Sequence, residues 1–220
     1  MMRERIKEIF DKGSFVEFYA NDVQPLITGT AMLSGKKVGV IADDPDVAGG
    51  AQGMDSISKF TRFNRYCERF GIPLVELNDS PAFTPGSAQE HAGIQGEGGK
   101  SIREECLSRN LKVAVTLNQN YGGRLIHANL KTLGPKRLGL VLEGAKVGVM
   151  GAKGAVWVLH GKKLSTIKDA AERKKKEEYL IKEYEQEKLS PDQMVNLGYA
   201  EKVIKSPDIR TELIDIFRGR

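Results

Sequence analysis

The residues of this chain that could do chemistry without an ionisable side chain are those of the turn Tyr121-Gly122-Gly123-Arg124. This turn ends an apolar run over residues 113–117, which is typical of a buried strand. A strand that ends in Gly-Gly leaves backbone N–H groups exposed, and two such groups can stabilise an oxyanion. The alternative is that the glycines only permit positive φ and close packing. The residues alone favour the two interpretations equally.

A second segment, Gly151-Ala152, has the same two interpretations. It lies where a small-residue stretch is predicted to turn into a helix. The first N–H groups of a helix can bind an anion. The sequence therefore marks Gly151 and Ala152 as candidate binding residues.

Other catalytic arrangements are weak in this sequence. A Ser-His-Asp triad would have to use Asp79, His91 and either Ser80 or Ser87, which crowd into one segment without the G-x-S-x-G pattern. The histidines are scattered, and the two cysteines are far from C-x-x-C spacing. We expect no metal site and predict that both cysteines are buried free thiols.

Composition limits the classes of partner. The chain has 220 residues, 40% of them hydrophobic, and contains no apolar run near the roughly 20 residues of a membrane helix. Its first residues alternate in charge, unlike a signal peptide, and a cytoplasmic location is expected. The net charge is +5, but only 7% of residues are aromatic, which argues against nucleic-acid binding. A coenzyme A thioester would fit the positive charge.

Strand and helix patterns alternate along the chain and predict an α/β layered fold in one domain, residues 1–220. Residues 28–33 and 38–42 are predicted to form a hairpin that turns at Gly35. A helix ending at Arg69 is predicted to be capped by Asp55 or Ser56. Further predictions are a loop over 78–87, a glycine-rich loop over 93–99, and one long charged helix over 165–188.

Several separate segments together resemble one family. The chain is similar to the C-terminal half of the carboxyltransferase component of biotin-dependent acyl-CoA carboxylases, of the propionyl-CoA carboxylase beta type. The matching segments occur in the family's order over nearly the whole chain. They are the hairpin 15–44, the helix and strand 59–75, the loop 81–90 (PAFTPGSAQE), the turn 121–123 (YGG), the segment 149–155 (VMGAKGA) and the closing residues 198–204.

The resemblance implies a crotonase (ClpP-like) fold with flanking helices and a long charged C-terminal helix. In this family the C-terminal half binds the biotin of a carrier protein, and the N-terminal half binds the acyl-CoA. The family's oxyanion pair of backbone N–H groups falls on Gly123 and Arg124, which are therefore the catalytic candidates. The implied biotin-binding residues are Gly122, Phe83, Pro85, Gly86, Gly151 and Ala152. Biotin leaves carboxybiotin as an anion and itself takes the α-proton, so no protein base is implied.

The departures from the family pattern keep three hypotheses open. Arg124 stands where the family has Ala, and Ile126 stands where many members carry a residue that influences acyl-chain choice, so Ile126 is the substrate-binding candidate. The first hypothesis is a carboxyltransferase subunit that works with a biotin carrier protein and an acyl-CoA-binding subunit, or assembles with itself. The second is a biotin-independent decarboxylase or hydratase that uses Arg124 to bind a substrate carboxylate. The third is a non-catalytic assembly subunit that acts through the charged helix near 174–187.

Overall fold

The structure is a computed structural model that describes residues 1–128 and 133–219. Within these residues one mixed sheet has the order β1-β2-β3-β4-β5-β6-β8, with β7 also paired to β5. The strands are β1 (Val16–Phe18), β2 (Leu26–Leu33), β3 (Lys36–Asp43), β4 (Leu74–Ser80), β5 (Lys112–Tyr121), β6 (Arg137–Leu142), β7 (Lys146–Gly148) and β8 (Lys202–Ile204).

Helices cover both faces of the sheet. They are α1 (Met2–Ile9), α2 (Met54–Arg69), α3 (Ser87–Ala92), α4 (Ile94–Leu107), α5 (Gly122–Ala128), α6 (Ala152–Thr166), α7 (Ala170–Lys188), α8 (Pro191–Asn196) and α9 (Ile209–Arg218). Strands β1, β2 and β3 are antiparallel neighbours, whereas the pairs from β3 onward are parallel. The predicted α/β class is confirmed.

The predicted hairpin between β2 and β3 is confirmed, with Leu33 paired to Lys36. Its two turn residues, Ser34 and Gly35, both have positive φ, at 51° and 79°. Two-residue hairpin turns with positive φ at both positions match the right-handed twist of the strands. This turn fixes the register that places Asp43 at the end of β3.

One face of the sheet is apolar. Alternate residues of the central strands, such as Val75 and Leu77 of β4, are fully buried there. They belong to a cluster with Ile6 of α1 and Leu213 of α9. The side chains between them, such as Glu76, therefore point to the opposite face, because successive side chains of a strand alternate.

The opposite face lies under α2 and α4 and is only partly apolar. Phe60 and Phe63 of α2 pack on Ile41 and Leu74 near the hairpin. Beside this cluster the buried side chains are polar, since Glu76 pairs with Ile41 and Lys112 pairs with Leu74. The polar part extends through Asn78 to Arg124, beside the glycine turn at the end of β5.

The predicted helix over 165–188 is wrong in its first part. Helix α6 ends at Thr166, and α7 begins at Ala170 after Asp169, whose Oδ1 accepts a hydrogen bond of 2.7 Å from the Glu172 N–H. The Asp169 cap supplies an acceptor that a continuous helix would not need, so it defines a new helix start. Helix α7 has no buried residue. In the described parts of the chain, no helix is long and apolar enough to cross a membrane.

The predicted cap of α2 is also wrong. Its N-cap residue is Gly53, and the free Met54 N–H donates to Oε1 of Gln89 over 2.9 Å. A side chain distant in sequence thus replaces the local cap, which no local pattern could indicate.

Two predicted loops belong in part to regular elements. Residues 78–80 continue β4, and residues 94–99 form the start of α4 despite three glycines. Burial explains both, because Asn78 and Ser80 are fully buried and Ile94 anchors the helix start. Tertiary packing here overrides local propensity.

The close contact between β3 and α2 generates a stability prediction. A Cβ atom at Gly39 would lie 2.7 Å from both Cys67 Sγ and Leu74 Cδ2. We expect Gly39→Ala to lower the free energy of unfolding by about 1–3 kcal/mol, measured by urea denaturation, because overpacking a core strains it.

The matched control is Gly99→Ala, within α4. A Cβ atom there meets no heavy atom within 4 Å. This variant should be more stable than the parent by roughly 0.5–1 kcal/mol, since Ala favours a helix over Gly. Equal effects of the two substitutions would contradict the packing described for Gly39.

Candidate functional site

The glycine turn after β5 is confined on two sides. Gly122 has φ of +59°, and a Cβ atom on it would lie 3.3 Å from the carbonyl oxygen of Val149. A Cβ atom on Gly123 would lie 2.8 Å from Cδ2 of Phe83. Gly122 therefore needs its backbone freedom and Gly123 needs its lack of a side chain. The interpretation that the two glycines permit positive φ and close packing is therefore correct.

The same turn also contains backbone donors. Gly123 and Arg124 lie in the first turn of α5, where backbone N–H groups have no acceptor within the helix. This geometry is compatible with the oxyanion pair predicted at these two residues, which stays a prediction.

A second helix start lies beside this turn. Tyr121 pairs with Gly148 of β7, which brings the segment before α6 next to the end of β5. A Cβ atom on Gly151 would lie 3.7 Å from the Tyr121 ring. Tyr121, Gly151 and Ala152 line an open cleft of about 470 Å³. The predicted residues are therefore neighbours in pairs: Gly122 adjoins the segment before α6 at the Val149 carbonyl, and Gly123 adjoins Phe83.

The remaining predicted residues lie at the surface. Pro85 and Gly86 are exposed in the loop before α3, and a Cβ atom at Gly86 would meet no heavy atom within 4 Å. Ile126, the predicted substrate-binding residue, is 57% exposed on α5. These three residues are accessible to a ligand or a second protein, and their roles stay predictions.

The side chain of Arg124 does not face the surface. It is 2% exposed, and its Nη2 donates to Asn78 Oδ1 over 2.7 Å and lies 3.2 Å from Asp43 Oδ1. The hypothesis that this guanidinium binds a substrate carboxylate is therefore wrong for this structure, because the group is buried and paired within the protein. The backbone N–H of Arg124 lies in the first turn of α5 and has no acceptor within the helix, which is compatible with the predicted role.

Arg124 belongs to a set of buried polar side chains between the sheet and helices α2, α4 and α5, which we call the buried polar layer. All its members are at most 2% exposed. They are Asp43, Asn64, Glu76, Asn78, Ser101, Glu105, Lys112, Arg124 and His127.

The layer contains a Ser-His pair that does not form a nucleophile. Ser101 Oγ lies 2.6 Å from His127 Nε2, and Arg124 Nη1 lies 3.4 Å from His127 Nδ1. A guanidinium can only donate, so Nδ1 is the acceptor and Nε2 carries the proton that goes to Ser101. Burial, and then the charge of Arg124, lower the pKa of His127 well below its usual value. His127 is thus a neutral donor to Ser101 and not its base.

A second ion pair lies in the same layer. The Lys112 ammonium contacts both carboxylate oxygens of Glu105, at 2.5 and 2.6 Å, and donates to Asn64 Oδ1 over 2.5 Å. Glu76 has no such partner within the described residues, since both of its carboxyl oxygens are buried without a hydrogen bond. Burial, and then the charge of Glu105, raise the pKa of Glu76 to about 8. Because a protonated Glu76 is neutral, the charges that remain are those of the pairs Lys112–Glu105 and Arg124–Asp43, and they cancel.

The two cysteines differ from each other. Cys67 is buried as predicted, and burial raises the pKa of its thiol to about 12, which makes it unreactive at neutral pH. Cys106 is exposed, so the prediction that it is buried is wrong. It lies on the outer side of α4, whose apolar pattern is too weak to show its orientation.

The sequence reasoning missed most of the buried polar layer. One signal was present, since Glu76 and Asn78 interrupt a run in which Val75 and Leu77 are apolar. Period-two alternation in a strand that should be buried on both faces indicates a polar interior. The partners of these residues come from distant segments, and no local pattern identifies them.

Comparison with solved structures identifies the fold. The chain superposes with a TM-score of 0.90 over its whole length on transcarboxylase 12S, which is 29% identical and was crystallised as a hexamer with methylmalonyl-coenzyme A and methylmalonic acid bound. It also superposes on the beta subunit of geranyl-CoA carboxylase from P. aeruginosa, at a TM-score of 0.84 and 19% identity over 99% of the chain. The predicted crotonase fold is confirmed.

Sequence comparison identifies the family. The family model of the carboxyl transferase domain matches residues 1–218, so the chain belongs to the carboxyl transferase family. Its curated relatives include methylmalonyl-CoA decarboxylase subunit alpha of Propionigenium modestum, 33% identical over 98% of this chain. Another is the methylmalonyl-CoA carboxyltransferase 12S subunit of Propionibacterium freudenreichii subsp. shermanii, 32% identical over 96% of the chain.

The chain spans less than half the length of these relatives. It covers 41% and 40% of the two curated proteins and 42% of the transcarboxylase chain in the crystal. The predicted resemblance to half of a carboxyltransferase component is confirmed.

Glu76 generates a prediction about pH. Its carboxyl keeps a proton up to about pH 8 in the folded chain but loses it near 4.5 when unfolded. Folding therefore takes up a proton in this window, and the contribution of Glu76 to stability falls as pH rises, by roughly 1.4 kcal/mol per unit. Glu76→Gln stays neutral, so its stability relative to the parent should rise from pH 5 to 8.

Urea unfolding at several pH values measures this difference. Glu187→Gln, at an exposed site on α7, is the control and should follow the parent at every pH. Parallel curves for the parent and Glu76→Gln would show that Glu76 does not take up a proton on folding.

Proposed function

We propose that this chain is a carboxyltransferase subunit that moves a carboxyl group between carboxybiotin on a carrier protein and an acyl-CoA. The supporting observation is the juxtaposition of the Gly123 turn, Phe83 and the start of α6, in a chain of the carboxyl transferase family. The relatives include both a decarboxylase and carboxylases, so the direction of transfer is left open.

The residues at the turn are suited to bind an oxygen atom that becomes negatively charged during the reaction. The N–H groups of Gly123 and Arg124 would donate to that oxygen, and electrostatic stabilisation of this kind needs no protein acid or base. Phe83 and Gly122 would form the walls beside it, with Gly151 and Ala152 across Tyr121. Biotin, when bound, carries the carboxyl group and accepts the proton from the acyl-CoA α-carbon. Pro85 and Gly86, exposed on the loop after Phe83, would contact the carrier side, and Ile126 the acyl side.

The proposal requires partners. A biotin carrier protein would present the carboxyl group, and an acyl-CoA-binding carboxyltransferase subunit, or a second copy of this chain, would complete the site. Exposed apolar side chains on α5, on α6 and in the segment before α6 are available to such a subunit. They are Ile126, Val149, Met150, Val158 and Leu159. We expect a homo- or hetero-oligomer.

Two expectations about the whole protein belong to the same proposal. We infer that residues 1–220 form a single domain of the carboxyltransferase C-terminal type, in line with the one sheet that joins both ends of the described chain. A cytoplasmic location also stays a prediction.

A non-catalytic assembly role is the second candidate. It is favoured by α7, a 19-residue helix with no buried residue, which packs on α6 through contacts such as Trp157 Nε1 to Glu177 Oε1 at 2.7 Å. A long helix without a buried face offers an extended polar surface. In this case substitutions at the glycine turn would leave the activity of the complex unchanged.

The proposal is tested by isolating the chain with its natural partners. Capture of the tagged chain from its native lysate should recover a biotinylated protein and a second carboxyltransferase-type subunit. The complex should then transfer carbon-14-labelled carboxyl from the carboxylated carrier to an acyl-CoA, with propionyl-CoA as the first probe. Recovery of the chain without any biotinylated protein, together with no transfer, would reject the biotin-dependent function.

The glycine turn gives the sharpest mutational prediction. Gly123→Val would drive a side chain into the Phe83 ring and displace the N–H pair. We expect carboxyl transfer by the complex to fall at least about 100-fold, since the loss of one oxyanion donor costs roughly 10²–10³ in rate.

The control for this variant is Gly96→Val, on the exposed side of α4, where a Cβ atom meets no heavy atom within 4 Å. Its transfer rate should equal that of the parent. Circular dichroism should show both variants folded. Full transfer by a folded Gly123→Val chain would remove the turn from the mechanism and favour the assembly role.

A further inference from the structure

The Asp43 carboxylate, at the end of β3, receives hydrogen bonds from three separate segments. Gln52 Nε2 donates to its Oδ1 over 3.0 Å, and the backbone N–H of Asp79 donates to its Oδ2 over 3.0 Å. Arg124 Nη2 lies 3.2 and 3.3 Å from the two oxygens. One fully buried side chain therefore connects β4, the loop before α2 and the first turn of α5.

The hydrogen bond between Asp43 and Gln52 connects Asp43 to the segment that contains Phe83. The Gln52 N–H donates to the carbonyl of Ala82 over 3.1 Å, and the Gln52 carbonyl accepts from the Thr84 N–H over 2.9 Å. These two bonds flank Phe83 and form an isolated parallel bridge between Gln52 and Phe83. Asp43 thus helps to hold Gln52, whose Nε2 also donates to the carbonyls of Pro25 and Gly50 over 3.0 and 3.1 Å, and Gln52 holds the backbone that carries the Phe83 ring.

The ion pair between Asp43 and Arg124 connects Asp43 to the glycine turn. Arg124 is one residue beyond Gly123, and its guanidinium is held between Asp43 and Asn78. With the guanidinium fixed, the backbone of Arg124 has little freedom to shift. Phe83 and Gly123, which pack directly against each other at the candidate site, are therefore both connected to the same carboxylate.

We propose that Asp43 is a positioning residue, which sets the separation between the Phe83 loop and the Gly123 turn through Gln52 and Arg124. This inference rests on the proposed function for its effect on catalysis, but the coupling itself concerns only the backbone. A buried ion pair is not needed for stability, because apolar side chains of similar volume often serve as well. Its directional bonds, by contrast, fix two segments relative to each other as apolar contacts do not.

The test is amide hydrogen exchange of the full chain, measured by NMR for Asp43→Asn. We expect exchange to rise at least about tenfold at Thr84 and at His127, whose N–H faces the Gly123 carbonyl within α5, and to exceed the rate at core amides such as Val113, because hydrogen bonds to a charged group contribute that much to local closure. The matched control is Asp44→Asn. Asp44 is equally buried but pairs with Arg3 over 2.7 Å, outside the polar layer. Exchange at Thr84 and His127 should stay at the parent level in this control.

A second variant separates positioning from general weakening. Gln52→Met removes the bonds from Gln52 Nε2 to Asp43 Oδ1 and to the carbonyls of Pro25 and Gly50 without leaving Arg124 unpaired, and should raise exchange at Thr84 but not at His127. Combined with Asp43→Asn it should raise exchange at Thr84 by less than the product of the two single effects, since both changes break the bond between Asp43 and Gln52. No rise at Thr84 and His127 in Asp43→Asn, or exchange at these amides no faster than at core amides, would overturn the inference.

Kinetics of the assembled complex distinguish this inference from the proposed function. If the parent complex transfers carboxyl, Asp43→Asn should lower kcat by about tenfold or more with little change in KM for propionyl-CoA, since a displaced donor pair weakens the transition state. An inactive parent complex would reject the proposed function and leave the exchange result to decide the coupling. An active Asp43→Asn complex with parent kcat would reject the positioning role.

Discussion

The ion pair between Asp43 and Arg124 is the interaction on which the candidate site depends. Both side chains are buried, and each ion gives up its hydration, a cost of several kcal/mol that only good hydrogen-bond geometry recovers. Loss of one partner would leave a buried charge and cost roughly 3–5 kcal/mol. The pair joins the end of β3 to the first turn of α5, 81 residues apart in sequence. The turn therefore owes its position to a long-range contact.

The rest of the buried polar layer is consistent with that pair. Lys112 balances Glu105, a neutral His127 serves Ser101, and a protonated Glu76 adds no further negative charge. Each group thus takes the protonation state that keeps the low-dielectric region close to neutral. Through Arg124, the layer holds the glycine turn by directional bonds, which side-chain packing alone does not provide.

Much of the fold and the outline of the site could be predicted from the sequence. Ordered segments such as the YGG turn and the 81–90 loop indicated the family, and the glycine pair marked a backbone that must come close to other atoms. The direction of the Arg124 side chain could not be predicted, because it depends on Asp43 and Asn78, which no spacing connects to it. The helix break at Asp169 and the Gln89 cap of α2 were missed because local propensity allowed other solutions.

The sheet ends on both sides in a strand of only three residues, β1 at one edge and β8 at the other. Short edge strands offer few free backbone groups to a neighbouring chain and so discourage the growth of a sheet from molecule to molecule. The edges of this sheet are thus protected against uncontrolled pairing with further strands. The side chains on helices and loops are left as the surfaces on which shape and charge can discriminate one neighbour from another.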